Sequence, residues 1–150
     1  MKNVFDPAVT AELTDRINRL TPSTAPRWGK MSVDQMLAHC NVTYDMLYTD
    51  RYPRPGAIRR FLLRTFVKQG VVGPKPWRKN LPTAPQFRMV GKKSFEAERR
   101  RLVEYLLRVE REGERAFEGR ESMSFGSLTA DEWNMMFYKH LDHHLTQFGV

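Results

Sequence analysis

The stretch from Thr129 to Phe148, TADEWNMMFYKHLDHHLTQF, carries the clearest structural signal in this 150-residue chain. Its apolar residues recur at three- and four-residue intervals, which places them on one side of an α-helix. Thr129 followed by Glu132 forms a capping box, in which the two side chains satisfy free backbone N–H groups at a helix start. The stretch therefore predicts a long helix with one buried face, and the capping box explains Glu132 without a catalytic role.

Three further helices are predicted from capping signals followed by periodic apolar residues. We expect them to run from Asp6-Pro7 towards Leu20, from Ser32 with its capping partner Gln35 to about Tyr48, and from Ser94 to about Phe117. Gly113 offers an earlier end to the third of these. No strand-like alternation of useful length is present. The sequence thus predicts an all-α fold, a four-helix bundle that forms a single domain over residues 1–150.

A long connection joins the second and third helices. It spans roughly 45 residues and contains six of the nine prolines. Within it, Ala57 to Lys68 is amphipathic and predicts a short extra helix whose apolar side lies on the bundle. The apolar side comprises Ile58, Phe61, Leu62, Thr65 and Phe66, and the basic side Arg59, Arg60, Arg64 and Lys68. A connection of this length favours a bundle with a crossover, and such loops are often functional.

The net charge of +8 is concentrated in the same connection. The segment from Arg51 to Lys93 contains 12 lysines and arginines and no acidic residue, whereas the rest of the chain carries 13 basic and 17 acidic residues. Such a segment can attract nucleic acid, anionic lipid or a small anionic substrate, or it can be a solvated basic loop. Nucleic acid is the less favoured partner, because no recognised recognition helix or RNA motif is present and aromatic residues are sparse among the basic ones.

The cysteine content and the N-terminus bear on the compartment. Cys40 is the single cysteine, which excludes an internal disulfide framework and fits a reducing environment. Asp6 interrupts the N-terminus before an apolar run can develop, and no stretch approaches the roughly 20 apolar residues of a membrane span. We therefore expect a cytoplasmic protein without a signal peptide or a membrane partner.

Three of the four histidines, His140, His143 and His144, lie within five residues of the last predicted helix. At roughly 100° per residue, His140 and His144 fall on its buried stripe and His143 towards the flank. The stripe also contains Trp133, Met136, Phe137, Gln147 and Phe148. Two stacked imidazoles in a core need a carboxylate, a water network or a metal ion. An H-x-x-x-H pair suits chelation of one ion but is a weak motif by itself.

His39 provides the third candidate ligand, at the edge of the inward stripe of the second helix. That stripe comprises Met36, Cys40, Thr43 and Leu47. Three protein ligands leave one or more positions for water or substrate, as in catalytic metal sites. Cys40 is predicted to be a small buried hydrophobe rather than a nucleophile or a ligand. For His143, packing against a neighbouring helix is favoured over an acid–base role beside the metal.

These residues resemble the DinB-like superfamily of four-helix-bundle metalloenzymes, and the nearest similarity is to a branch of unknown function. The resemblance covers most of the chain. It rests on Trp28-Gly29-Lys30-Met31, Gln35 to Cys40, Leu81 to Pro85, Phe95 to Arg99, Phe125 to Thr129, Glu132-Trp133, Tyr138 to His144 and Gln147-Phe148-Gly149. Where the family pattern often has a His-Pro pair before Phe-Gly, this chain has Met123-Ser124, so any auxiliary role of that histidine is absent here.

The resemblance implies a divalent metal held by His39, His140 and His144, and a long crossover between helices two and three. It also implies a metal-dependent transferase that uses a low-molecular-weight thiol, or a hydrolase, acting on a small substrate. The basic segment from Arg51 to Lys93 would attract an anionic substrate or thiol. The donor set suits Zn, Ni, Fe or Co. A homodimer is a further expectation from the superfamily. The alternatives are a basic nucleic-acid-binding protein and a scaffold with a vestigial metal site.

Overall fold

Helices make up most of the protein in the computed structural model, which describes residues 2–150. In chain order they are α1 (Pro7–Asn18), α2 (Val33–Tyr48), α3 (Ala57–Leu62), α4 (Lys68–Val72), α5 (Phe95–Glu112) and α6 (Ala130–Gln147). A π-helical segment, Leu63–Val67, joins α3 to α4, and short 3-10 helices cover Pro85–Phe87 and Glu114–Phe117. The prediction of a helical fold is confirmed. Within residues 2–150, no helix combines the length and the apolar character needed to cross a membrane.

The helix ends follow the capping signals closely. The Asp6 side chain accepts the N–H of Ala8 at the start of α1, and Thr129 and Glu132 form the predicted capping box of α6. Helix α5 ends at Glu112, because Gly113 takes a positive φ of 73° that stops the helical path. The prediction that this helix continues to about Phe117 is therefore wrong, and the earlier end at Gly113 is the one observed.

A small β-hairpin lies between α5 and α6 and was not expected from the sequence. Its strands, β1 (Glu121–Ser122) and β2 (Gly126–Ser127), pair in antiparallel register. Gly126 has a φ of 79°, a backbone conformation that residues with a Cβ rarely adopt. Strands of two residues are too short to produce a detectable alternation of apolar and polar positions, which explains why the sequence pattern missed them.

The four long helices pack around a shared apolar core. Helix α5 contacts α1 and α2, and α6 contacts the same two helices from another side. Fully buried core residues come from all four: Leu13 and Ile17 (α1), Met36 and Leu37 (α2), Leu102 and Leu106 (α5), Trp133 and Phe137 (α6). The predicted buried stripe of α6 is confirmed, since Trp133, Met136, Phe137, His140, His144, Gln147 and Phe148 are all buried.

Helices α3 and α4 and the π-helical segment between them, which we call the crossover helices, lie with their basic side towards the rest of the protein. Lys68 pairs with Glu132 at 2.7 Å, and Arg60 pairs with Glu121. Ile58 and Phe66 on the apolar side are instead strongly exposed. The prediction that the apolar side lies on the bundle is therefore wrong, because acidic partners on β1 and α6 hold the basic side inward. The helical stretch also continues beyond the predicted end, to Val72.

Candidate metal centre

The structure brings together the three histidines singled out from the sequence. His39 on α2 and His140 and His144 on α6 are each less than 8% exposed. Their ring centroids lie 4.6 to 4.9 Å apart, and one nitrogen of each ring lies within 4.8 Å of the others. Since an α-helix turns every 3.6 residues, the four-residue spacing places His140 and His144 on the same face of α6. The third ring, His39, comes from α2 on the other side of the cluster.

Each ring makes a hydrogen bond at its Nδ1 atom. For His39 the partner is the main-chain oxygen of Phe87, at 2.9 Å. A carbonyl oxygen can only accept, so Nδ1 of His39 carries the proton and Nε2 retains a free lone pair. Metal-binding histidines are oriented in the same way, with the second ring nitrogen donating to a carbonyl or carboxylate.

His144 is held in the same tautomer by a side chain on its own helix. Its Nδ1 lies 2.8 Å from Oε1 of Gln147, and Nε2 of Gln147 donates to the main-chain oxygen of Trp28 at 2.7 Å. Because the Trp28 oxygen needs a donor, the orientation of the glutamine amide is set, and its oxygen must face His144. The proton of His144 therefore lies on Nδ1, which leaves Nε2 free.

The third ring, His140, has the least restrictive partner. Its Nδ1 lies 2.9 Å from the hydroxyl oxygen of Thr43. Thr43 is on α2, one helical turn after His39. A hydroxyl donates or accepts, so this contact permits the Nδ1–H tautomer without imposing it. With that tautomer, all three Nε2 atoms present lone pairs.

Burial keeps the three imidazoles neutral. Desolvation lowers the pKa of His39, lowers the pKa of His140 well below its usual range, and lowers the pKa of His144 to about 3. The neighbouring histidines lower the pKa values of His140 and His144 further, since a second positive charge in the cluster is unfavourable. Neutral imidazole is the form that binds metal ions. Three neutral rings in this arrangement could therefore hold a metal ion.

Aromatic residues from the connecting segments surround the cluster. The Trp77 ring lies 5.4 Å from that of His140, and the Phe87 ring lies 5.3 Å from that of His39. His143 is half-buried beside the cluster. The centroids of the Trp28 and Trp77 rings each lie about 6 Å from the centroid of its ring. The predicted flank position agrees with this placement, although the neighbours of His143 are two tryptophans from connections rather than a neighbouring helix.

Cys40, Glu132 and the three tryptophans occupy positions that packing, capping and ion pairing explain. Cys40 is buried, its Sγ lies 3.7 Å from the sulfur of Met36, and burial raises the pKa of its thiol. The predicted burial of Cys40 is confirmed. Glu132 caps α6 and also pairs with Lys68. Trp133 is a core residue, whereas Trp28 and Trp77 line the surroundings of the histidines.

The sequence analysis missed the residues that orient the candidate ligands. Thr43 and Gln147 follow His39 and His144 by four and three residues, so helical spacing offered a signal for both. The Phe87 contact uses a main-chain oxygen and leaves no trace in the sequence. Lys139 was also missed: its buried ammonium group donates to the main-chain oxygen of Gly73 at 2.5 Å and so attaches α6 to the end of α4.

The fold and the site together define a mostly helical protein with a buried three-histidine cluster capable of holding a metal ion. Comparisons of the chain with protein-family models, with curated proteins and with solved structures found no match. The DinB-like assignment therefore stays a prediction from the sequence motifs.

Proposed function

We propose that this protein is a divalent-metal-dependent enzyme of the DinB-like superfamily, with its four long helices arranged as a four-helix bundle. The Nε2 atoms of His39, His140 and His144 are the proposed ligands. One observation carries this proposal: three buried neutral imidazoles converge, and a hydrogen bond at Nδ1 leaves Nε2 of His39 and His144 free. Without a cation, three lone pairs facing one another in a core would lack any donor, which is costly.

A three-histidine set leaves coordination positions open, as catalytic sites require. When bound, a divalent ion supplies Lewis acidity and lowers the pKa of a coordinated water or thiol. The resemblance to the DinB-like superfamily adds the proposed reaction class, a transfer that uses a low-molecular-weight thiol, or a hydrolysis. We propose that a small substrate approaches past Trp28 and Trp77, whose rings lie beside His143.

The residues around the cluster suit an anionic substrate. Nζ of Lys79 lies 4.2 Å from the centroid of the Trp28 ring and places a positive charge beside this approach. His143 is half-buried, and desolvation lowers its pKa, so it is neutral at pH 7 and able to accept a proton from a thiol or water. In the proposed reaction Lys79 attracts the substrate and His143 takes up the proton of the nucleophile.

The basic segment from Arg51 to Lys93 supports nucleic-acid binding less well than the histidine cluster supports a metal-dependent function. Arg51, Arg60 and Lys68 are paired with Asp45, Glu121 and Glu132, which reduces the positive charge available to a phosphate backbone. The site around the histidines has the more specific geometry, and we therefore assign the function to it.

Elemental analysis of tag-free protein tests the metal site. We expect about one divalent ion per chain in the wild type and a loss of bound metal in His39→Ala, His140→Ala and His144→Ala. His143→Ala is the matched control, because it removes a neighbouring imidazole that is not a proposed ligand. Full metal occupancy in His140→Ala with an intact circular-dichroism spectrum would contradict the assignment.

A cobalt-loaded sample separates the two reaction classes. Cobalt has visible bands that report its coordination, and a thiol that binds to it adds a sulfur-to-cobalt charge-transfer band in the near ultraviolet. If a thiol is the nucleophile, glutathione added to the Co²⁺ protein will produce this band. If the spectrum is unchanged by several small thiols, the hydrolase is the class supported.

A further inference from the structure

The outward side of the crossover helices carries a row of exposed apolar side chains. Ile58 is 81% exposed, Phe61 65%, Leu62 47% and Phe66 75%. We call these four residues the outer apolar stripe. Isolated exposed apolar residues are ordinary, but a contiguous row of this kind on one helical face usually marks a site of interaction. From this stripe and the charge around it, we infer that the helical stretch of residues 57–72 docks onto an anionic lipid surface.

The stripe is held outward by contacts on the opposite side of the same helices. Lys68 pairs with Glu132, Arg60 pairs with Glu121, and the ammonium group of Lys139 binds the main-chain oxygen of Gly73. A rotation that buried the stripe would break both ion pairs and leave the buried Lys139 without its closest acceptor. The exposed orientation is therefore a stable feature of the fold.

The charged residues in the segment that carries the stripe are all basic. Arg54 and Arg59 are exposed and form no ion pair within residues 2–150, whereas the side chain of Arg64 lies against Gly126 of the hairpin. They belong to the segment from Arg51 to Lys93, which contains no acidic residue. A row of apolar side chains flanked by unpaired arginines is typical of helices that lie in the plane of a membrane surface. Helices of this kind are embedded at the headgroup level and need no membrane-spanning segment.

A second copy of the chain is the weaker candidate for this surface. In a two-fold dimer the same patch meets itself, so two acid-free basic segments would face each other and repel. The apolar surface that the stripe could bury in a dimer is also small. With fully exposed side chains of roughly 150–250 Å² each, the stripe offers on the order of 500 Å², below the ≈800 Å² per partner of a standard interface. Anionic lipid complements the charge and accepts the apolar side chains together.

Vesicle co-sedimentation with the full chain tests the inference. We expect binding to phosphatidylcholine vesicles that contain phosphatidylserine, weak binding to phosphatidylcholine alone, and a decrease with salt. The double variant Phe61→Ser/Phe66→Ser should lower the partition coefficient by about tenfold or more, since two exposed phenylalanines lose their burial in lipid. Arg59→Gln should lower it about fivefold. Both changes alter exposed positions, so the fold is expected to persist, as circular dichroism would verify.

Leu107→Ser is the matched control, because Leu107 is 41% exposed on α5, outside the crossover. It should bind vesicles like the wild type. Equal binding of the wild type to neutral and anionic vesicles would overturn the inference, as would the absence of binding at low salt. A concentration-dependent dimer that is lost in Phe61→Ser/Phe66→Ser would also overturn it and assign the stripe to a second copy of the chain.

Discussion

Nδ1 of His39 lies 2.9 Å from the main-chain oxygen of Phe87, and this contact joins the candidate metal centre to the crossover. The aromatic ring of Phe87 also packs against His39 and His140. A candidate ligand on α2 is thus oriented by a residue nearly fifty positions further along the chain. The geometry of the site consequently depends on how the crossover is held.

Removal of the Thr43 hydroxyl should weaken metal binding without unfolding the protein. Thr43→Val is nearly isosteric but leaves Nδ1 of His140 without its partner. Loss of a residue that orients a ligand typically lowers metal affinity by about 10- to 100-fold. Thr43→Ser retains the hydroxyl and is the matched control. Competition with a chromophoric chelator measures the affinity, and equal affinities of the two variants would contradict the orienting role.

The metal-free protein should lose stability as the pH falls below about 6.5. In the unfolded chain each histidine takes up a proton near that pH, whereas burial keeps folded His144 neutral down to its pKa of about 3. The unfolded state therefore binds more protons in this interval, so the free energy of unfolding decreases as the pH decreases. For His144 the decrease between pH 6.5 and 5 is about 2 kcal/mol.

Urea unfolding of chelator-treated protein at several pH values measures this dependence. His144→Gln removes the titrating group at the same position and should show a shallower decrease than the wild type. The two proteins must be compared over the same pH interval, because other groups titrate in both. Parallel curves would mean that His144 is not held neutral in the folded state.

Lys139→Met should loosen the crossover while the four long helices remain folded. The change removes the donor to the main-chain oxygen of Gly73 and replaces a buried ammonium group with an apolar side chain of similar length. We expect faster amide hydrogen exchange in residues 68–77, with little change in α5. Lys75→Met is the control, since Lys75 is exposed in the same segment. Unchanged exchange in residues 68–77 would show that other contacts hold the crossover.

Asp45→Asn should destabilise the end of α2. The buried Asp45 carboxylate accepts hydrogen bonds from Tyr105 at 2.8 Å, from Arg51 at 3.2 Å and from Arg101 at 3.4 Å. Hydrogen bonds to a charged group contribute about 1.5–3 kcal/mol, and the neutral amide weakens all three, so we expect a loss of about 2 kcal/mol. Asp50→Asn, at an exposed position nearby, should change the free energy of unfolding by less than about 0.5 kcal/mol. Denaturant unfolding measures both, and equal effects would contradict a structural role for the Asp45 cluster.

The starts of the long helices and the buried face of α6 were predictable from the sequence, because both depend on local chemistry. A capping box such as Thr129 with Glu132 acts within one helical turn, and the spacing of His140 and His144 places both rings on one face wherever the helix packs. His39 was a candidate for the same reason, since helical phase put it near the inward stripe of α2. These inferences require no knowledge of distant contacts.

The orientation of the crossover was decided only by tertiary structure. Periodicity distinguishes an apolar side from a basic side in residues 57–68, but it does not say which side faces the protein when partners far along the chain are available. Glu121 and Glu132 supply those partners, so Arg60 and Lys68 lie inward and Phe66 lies outward. The Phe87 oxygen at His39 is a contact of the same kind, because a main-chain acceptor acquires its role only when the folded chain brings it to the ring.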